Sequence, residues 1–511
     1  MSSKLYNSQA YFTDVRIAEF GFREYDARWV IEPLGPSQPD VQINYRGLQR
    51  LGSCLGRFLQ LEENGAHETI VVGHDFRKYA ENAKNALVLG LLSSGIDVQD
   101  AGLCITPMVY FAQWEYGVEA CAMVTASHNP NGWTGVKMGY GKSQTFGPDR
   151  MSAFRDLVLE SIHQDDETRE SGRYSQRGEL LDDYVENLVS GWGSRLASLP
   201  RLRVAVETGN GTGGMVLPRI LRELGFDVVE GNVALDWDFP NFNPNPENMA
   251  FLGSVQELVR GSDADLGICV DGDGDRVGII DNLGNIAFSD RVGLLIAKKI
   301  EKMEGPSRFV VDVKSTALYS RELESEVIWE KAGHSYIKHA IRREKAAAGF
   351  ERSGHFFLNP PFGHGYDDAC VAALFVLWIA CQGKSEQKNL SDLLAAIPSS
   401  HQSPTREAKL PEARKYEIMD EIRQKIEEEV SASGKFGGVE VADVLTVNGI
   451  RVNLVDGSWL LIRASSNTPK LVIVAESFDE DGALLEELDR AARQVVAEVG
   501  EVEDFEPLYR Q

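Results

Sequence analysis

The chain has 511 residues, of which 43% are hydrophobic and 25% charged, and its formal net charge is −25. That length predicts about three or four domains, and the composition is ordinary for a globular protein. So acidic a surface argues against nucleic acid and anionic membrane as partners, and an anionic substrate would need its cations concentrated in one cleft.

Taken in chain order, the start of the sequence has no apolar signal core. Phe22-Arg23-Glu24-Tyr25-Asp26-Ala27-Arg28 reads as a charged strand edge that could offer Arg28 to a phosphate. A unit of apolar strand, polar or glycine turn and helical pattern then occurs three times. It begins at Thr69-Ile70-Val71-Val72-Gly73-His74-Asp75 with a helix over 80–92. It returns at Val204-Ala205-Val206-Glu207-Thr208-Gly209-Asn210-Gly211 with a helix over 216–224. The third copy is Phe309-Val310-Val311-Asp312-Val313-Lys314-Ser315 with a helix over 317–323. Short strands follow Gly95 and Gly225. Strand–helix–strand at this pitch predicts right-handed α/β units and three related α/β domains with mixed, largely parallel sheets.

The last part reads as an α+β domain. Residues 404–433 are charged and helix-like, strands are predicted over 447–455, 459–463 and 471–476, and 483–499 forms an amphipathic helix. Linkers are expected at 163–177 and 396–406. The expected domains are 1–165, 166–284, 285–400 and 401–511. The six cysteines, Cys54, Cys104, Cys121, Cys269, Cys370 and Cys381, form no C-x-x-C pair and sit mostly in apolar runs, as expected of buried thiols in a reducing compartment. The apolar run 371–381 is too short to span a bilayer and predicts a core helix. A cytoplasmic protein is expected.

Two segments carry chemistry. Thr125-Ala126-Ser127-His128-Asn129-Pro130 places a hydroxyl on a tight polar turn after the apolar run 121–124. One reading makes Ser127 a cap for the next segment. The other makes it a phosphoryl carrier, because Asn131-Gly132 and Gly135 leave backbone N–H groups open and Lys137 is close by. Asp271-Gly272-Asp273-Gly274-Asp275-Arg276 puts three carboxylates on alternate residues after a buried strand. It is either a solvated acidic turn or a cage for a hard dication. Mg²⁺, which takes few protein oxygens plus a phosphate oxygen, suits three aspartates and a phosphoserine. An EF-hand is excluded, since Arg276 and Asn282 stand where that loop needs glycine and glutamate.

Three further segments are more ambiguous. Glu351 and Ser353 in Phe350-Glu351-Arg352-Ser353-Gly354-His355 could bind two sugar hydroxyls while His355 moves a proton, or could simply be loop residues. Arg463-Ala464-Ser465-Ser466-Asn467-Thr468-Pro469, after an apolar strand, is either a phosphate cradle or a capping turn. Lys314 and the stretch 331–338, which includes His334, offer further cations.

These pieces, in this order, resemble the α-D-phosphohexomutase family, and within it the phosphomannomutase/phosphoglucomutase branch. The resemblance spans roughly residues 20–476. Besides the two motifs above it rests on FREYDAR, GHDFR at 73–77, Gly102 with Thr106-Pro107, NGTGG at 210–214 and FPNFNPNPEN at 239–248. It implies four domains around a central cleft, each giving one loop. Ser127 would be the phosphoserine, binding Mg²⁺ through its phosphate together with Asp271, Asp273 and Asp275. Arg28, Lys137 and His355 would transfer protons or stabilise charge, supported by His128, Arg276, Lys314 and His334. Tyr25, Glu351, Ser353, Arg463, Ser465, Ser466, Asn467 and Thr468 would bind the phosphosugar.

The implied activity is a mutase that interconverts hexose 6-phosphate and hexose 1-phosphate, of mannose or glucose, through hexose 1,6-bisphosphate. Phosphoglucosamine mutase, a non-catalytic phosphosugar-binding protein and a simple phosphatase are the alternatives. A phosphosugar is the expected partner, with no nucleic acid and no membrane, for a monomer or dimer. Trp29 stands where the family usually has glycine and is expected to narrow the cleft edge. Thr134, Glu207, Phe350 and Ser466-Asn467 depart from the pattern without removing a required group.

Overall fold

The runs Thr69–His74 and Ala120–Val124 are apolar almost throughout and too short for helices, and both become central strands covered on two faces. The computed structural model describes residues 14–32, 40–62, 69–162, 170–465, 469–503 and 505. In its first sheet β1 (Ala27–Val30), β2 (Thr69–His74), β3 (Asp97–Leu103), β4 (Ala120–Val124), β5 (Trp133–Tyr140) and β6 (Tyr174–Gln176) lie in the order β1-β5-β4-β2-β3-β6. β4, β2, β3 and β6 are parallel, and β5 and β1 close one side antiparallel. Helices Ala80–Ser93 and Thr106–Glu115 make the crossovers.

Two expectations need correction here. The segment read as a linker over 163–177 contains β6, an edge strand paired in register with β3. Trp29 does not narrow a cleft edge. It is fully buried in the first core, its indole N–H donates to Ala18 O at 2.7 Å, and its ring lies where a side chain at Gly21 would have to go.

β7 (Arg203–Glu207), β8 (Asp227–Glu230), β9 (Leu266–Val270), β10 (Val277–Ile280) and β11 (Ile286–Ala287) form a second mixed sheet in the order β11-β10-β9-β7-β8. β9 and β10 pair antiparallel with Val270 opposite Val277, so residues 271–276 are the tip of a hairpin. Residues 1–292 and 353–393 group as one compact unit. Its apolar helix Ala369–Ser385 contains the run 371–381 as expected. No helix among the described residues is long and apolar enough to cross a membrane.

Asp368 caps that helix, accepting from the Cys370 and Val371 N–H groups at 2.9 and 3.0 Å and from the Tyr184 hydroxyl at 2.9 Å. Burial pushes its carboxyl up to about 6. A carboxyl raised on folding favours the folded state below its unfolded pKa and loses that contribution as pH rises through the folded value. Asp368→Asn keeps the cap. The variant should therefore gain stability relative to the parent by up to about 3 kcal/mol between pH 4 and 7.5, read from urea midpoints.

Residues 293–352 and 394–511 group as the second unit. Here β12 (Arg308–Asp312) pairs in parallel with both β13 (Glu326–Glu330) and β14 (Ala348–Phe350). The strand β15 (Phe356–Leu358), next in the chain, belongs to the first unit. The C-terminal sheet comprises β16 (His401–Gln402), β17 (Arg406–Lys409), β18 (Lys435–Phe436), β19 (Val439–Leu445), β20 (Ile450–Leu454), β21 (Trp459–Ala464) and β22 (Lys470–Ser477). Its order is β16-β22-β21-β20-β19-β18, with β17 also on β22. Helices Lys415–Ser433 and Ala483–Val499 bury their apolar stripes on one face. The fold class, three α/β domains plus an α+β domain, is the one the sequence predicts. The helix expected over 404–433 starts only at Lys415, because Arg406 and Ala408 face inward at alternate positions of an edge strand. All six cysteines are buried free thiols.

Candidate active site

The apolar strand β4 stops at Val124, and the next residues turn so sharply that Ser127 takes a left-handed φ of 51°. Its N–H donates to Thr125 Oγ1 at 2.8 Å, a local turn that Ser and Thr side chains favour. Two guanidiniums secure the turn. Arg77 donates to the carbonyls of Ser127 and Asn129 at 2.8 Å each and to that of Pro130 at 3.2 Å. Arg28 donates to the Ala126 carbonyl at 3.0 Å and to Asn129 Oδ1 at 2.5 Å.

The hairpin tip comes up against this turn. A side chain on Gly272 would meet the Ser127 carbonyl at 2.7 Å, so only glycine admits the approach. Ser127 Oγ lies 3.2 Å from Asp271 Oδ2 and 3.1 Å from His128 Nδ1. Asp271 Oδ1 accepts the N–H groups of Asp275 and Arg276, each at 3.1 Å, which folds the loop around its first carboxylate. Asp273 Oδ2 accepts from Thr106 Oγ1 and Lys137 Nζ at 2.7 Å each, with Thr125 Oγ1 at 3.1 Å. Lys137, projecting from β5, also donates to Asp275.

Ser127, Lys137 and the three aspartates are at most 4% exposed. Burial, then its two neighbouring carboxylates, hold Asp271 well above the usual carboxylate range. Burial and Asp275 also push Asp273 upward, but Lys137 and the Thr106 hydroxyl outweigh them and hold it low. Burial would raise Asp275 too, yet Lys137 and His355 bring it well below its ordinary value. Lys137 is held above its ordinary value: burial opposes the charge, and Asp273 and Asp275 overcome that. Burial, reinforced by Arg276 and Arg28, pushes His128 well below its usual range, so its imidazole is neutral at neutral pH.

One carboxylate oxygen from each of Asp271, Asp273 and Asp275 lies within 4.8 Å of the others. Asp273 Oδ1 is buried with no hydrogen-bond partner. Three hard oxygens converging with one left over fit an oxygen-seeking divalent cation.

His355 stands beside this trio. Its Nε2 is 3.3 Å from both Asp275 Oδ1 and Arg276 Nε, and its Nδ1 is 3.2 Å from Ser353 Oγ. The same unit holds Tyr25, which is buried, and Arg276, whose Nη1 reaches Glu247 at 3.4 Å.

The other predicted residues belong to the second unit. Glu351 Oε1 accepts the Gly333 N–H at 2.5 Å, fixing the turn before the helix His334–Glu344. Lys314 N donates to Asp312 Oδ1 at 2.9 Å. Arg463 donates to Asn448 Oδ1 at 2.9 Å, and Ser465 N–H to Lys470 O at 2.8 Å. Ser466, Asn467 and Thr468 lie outside the described residues.

Sequence reasoning assigned no role to Arg77, Thr106, Asp75 or Thr125. Asp75 accepts from Thr125 Oγ1 at 2.7 Å and pairs with Arg77 at 3.3 Å, so these side chains brace Ser127 and Asp273 from behind. The GHDFR and Thr106-Pro107 matches contain three of these four residues.

Four models of one family match in succession. The phosphoglucomutase/phosphomannomutase alpha/beta/alpha domain I covers residues 21–164, domain II covers 182–284, domain III covers 288–401 and the C-terminal domain covers 407–494. A phosphomannomutase/phosphoglucomutase of Pseudomonas syringae pv. tomato is 30% identical over 462 residues, 89% of this chain and 91% of its own. A probable phosphoglucosamine mutase of Methanopyrus kandleri is 31% identical over 470 residues, 88% of this chain and 95% of its own. The crystal structure of a phosphoglucomutase/phosphomannomutase family protein from Burkholderia thailandensis aligns with a TM-score of 0.80 at 28% identity, over 94% of this chain and 98% of that one. With the serine turn and the aspartate hairpin inside those matched regions, the chain belongs to the phosphoglucomutase/phosphomannomutase family, the α-D-phosphohexomutases.

Proposed function

We propose that this hexose phosphate mutase works through phosphorylated Ser127, moving phosphate between O6 and O1 of mannose or glucose by way of hexose 1,6-bisphosphate. The observation that carries the reading is the 3.2 Å separation of Ser127 Oγ from Asp271 Oδ2. A phosphoryl group on that oxygen would sit at the mouth of the carboxylate trio, beside Lys137.

The serine gives its phosphoryl group to the free hydroxyl of a hexose monophosphate. The P–Oγ bond breaks, a P–O bond to the sugar forms, and the sugar proton leaves. The bisphosphate turns around while bound and returns its other phosphate to Ser127. Asp271, Asp273, Asp275 and a phosphate oxygen on Ser127 would hold Mg²⁺, which when bound offsets charge on the phosphoryl oxygens. Lys137 and Arg28 add positive charge at the same place. His355, oriented by Ser353 at Nδ1, is the group proposed to take and return the sugar proton. Neutral His128, with Nδ1 3.1 Å from Ser127 Oγ, is the neighbour proposed to orient that oxygen. Tyr25, Arg276, Lys314, His334, Glu351 and Ser353 contact the sugar or its phosphates. Arg463, Ser465, Ser466, Asn467 and Thr468 hold the phosphate that is not reacting. Domains 1–165, 166–284, 285–400 and 401–511 each contribute one of these loops, in a cytoplasmic enzyme.

Glucose and mannose 1-phosphates should turn over at least about tenfold faster, as kcat/KM, than glucosamine 1-phosphate, in a coupled assay on the same preparation. The reverse order would make phosphoglucosamine the substrate. Free phosphate released without isomerised product would make the protein a phosphatase.

A further inference from the structure

In the first unit, the chain between β8 and the helix Met249–Ser262 runs without regular structure over 231–248. This strap touches both loops of the site. Trp237 stacks on Phe76 with ring centroids 5.8 Å apart. The ring of Phe239 lies against the Arg77 guanidinium, 5.3 Å from centroid to Cζ. Asn243 Nδ2 donates to the His128 carbonyl at 2.5 Å. Pro244 is buried beside the aspartate hairpin, where a side chain on Gly272 would meet its Cγ at 3.5 Å.

Phe239 takes a left-handed φ of 47°. A bulky side chain disfavours that backbone, and glycine would adopt it at less cost. Its N–H donates to Asp236 O at 3.2 Å, a turn that glycine would close equally well. What glycine would not supply is the ring. Arg77 is 5% exposed, and its edge is spent on Asp75 and on the carbonyls of Ser127, Asn129 and Pro130. The Phe239 ring faces the same guanidinium, and a ring beside a buried guanidinium attracts it. A planar fork reaches several carbonyls only while its plane is held. Asn243 takes the carbonyl of His128, between two of those that Arg77 holds.

We propose that Phe239 is a positioning residue for phosphoryl transfer: its ring fixes the Arg77 guanidinium, and Arg77 sets the Ser127 turn so that Oγ faces Asp271. The inference rests on the reading that Ser127 carries the phosphoryl group. The strained backbone at Phe239 is kept for the contact that its side chain makes. A small displacement of the serine oxygen slows transfer steeply, while the residues assigned to the phosphosugar are untouched, so turnover suffers and binding does not.

The test compares full-length Phe239→Gly, Phe239→Tyr, Arg77→Lys and the Phe239→Gly/Arg77→Lys pair, with glucose 1-phosphate as substrate. Phe239→Gly should lower kcat by about tenfold or more with KM changed less than about threefold. Its melting temperature should stay within about 3 °C of the parent, because relief of the left-handed backbone offsets the lost ring contact. Phe239→Tyr, which keeps the ring, should stay within about twofold of the parental kcat. Arg77→Lys keeps the charge facing Asp75 but loses the fork, and should also be slow. Because Phe239 acts through Arg77, the double variant should be no more than about twofold slower than the slower single variant. The proposal is overturned if Phe239→Gly or Arg77→Lys stays within about twofold of the parent, if Phe239→Tyr is as slow as Phe239→Gly, or if the Phe239→Gly and Arg77→Lys effects multiply. Single-turnover transfer of labelled phosphate from Ser127 to glucose 6-phosphate separates the proposal from its premise. A parent that never labels Ser127 removes the carrier role, and the proposal with it. A labelled parent with an equally fast Phe239→Gly variant removes the proposal alone. If Phe239→Gly does not fold, Phe239→Leu, which keeps apolar bulk without a ring, is read in its place: kcat should fall about fivefold, and a value within about twofold of the parent overturns the proposal.

Discussion

Ser127→Ala should lower kcat by at least about a thousandfold, roughly 4 kcal/mol in the barrier, with little change in thermal stability. The neighbouring Thr125 and Thr106 hydroxyls already face Asp273 and are not placed to substitute for it. Fold and metal site should persist, because the turn is held by the backbone contacts of Arg77 and Arg28 and not by the Ser127 side chain. Added hexose 1,6-bisphosphate should not restore turnover, since the variant has nothing to receive the phosphate. Turnover within about tenfold of the parent would assign the phosphoryl carrier elsewhere.

Lys137→Met should damage both stability and turnover. The methionine keeps much of the stem volume and removes the cation that faces Asp273 and Asp275. Removing one side of a buried ionic cluster costs roughly 3–5 kcal/mol. Without divalent cation the melting temperature should therefore fall sharply. Saturating Mg²⁺ should recover most of that loss, because a dication in the trio replaces the missing charge. Turnover should stay at least about a hundredfold low, as expected when a charge that acts on the transferring group is lost. A variant with parental melting behaviour in chelator would show that Lys137 does not neutralise the aspartates.

The parts of the site that were readable in advance are those whose chemistry sits in a short run of sequence. Ser127 follows an apolar strand on a turn of polar and glycine residues, and the aspartates alternate with glycines after another strand, so both loops declare their type locally. Their meeting was not readable locally and came only with the family resemblance. Arg77 shows why: it works through backbone carbonyls of residues 127–130, and no pattern around position 77 encodes such a contact. Among the secondary elements, some strands went unpredicted because no regular pattern marks them. Tyr174–Gln176 is exposed at every position and has no buried face to reveal it. Val439–Leu445 alternates at first but shifts register between Val441 and Asp443, which breaks the period. Trp29 misled because it stands where the family usually has glycine, which suggested a bulky side chain at the cleft edge, whereas the space left by Gly21 draws the ring inward.

The most direct measurement is label transfer. The purified enzyme is incubated with hexose 1,6-bisphosphate carrying radioactive phosphate, digested, and mapped by peptide mass. The account predicts one phosphate on the peptide containing Ser127, removed again by unlabelled glucose 6-phosphate at a rate matching turnover. Full mutase turnover with that peptide unlabelled, or with the label on any other residue, would contradict it.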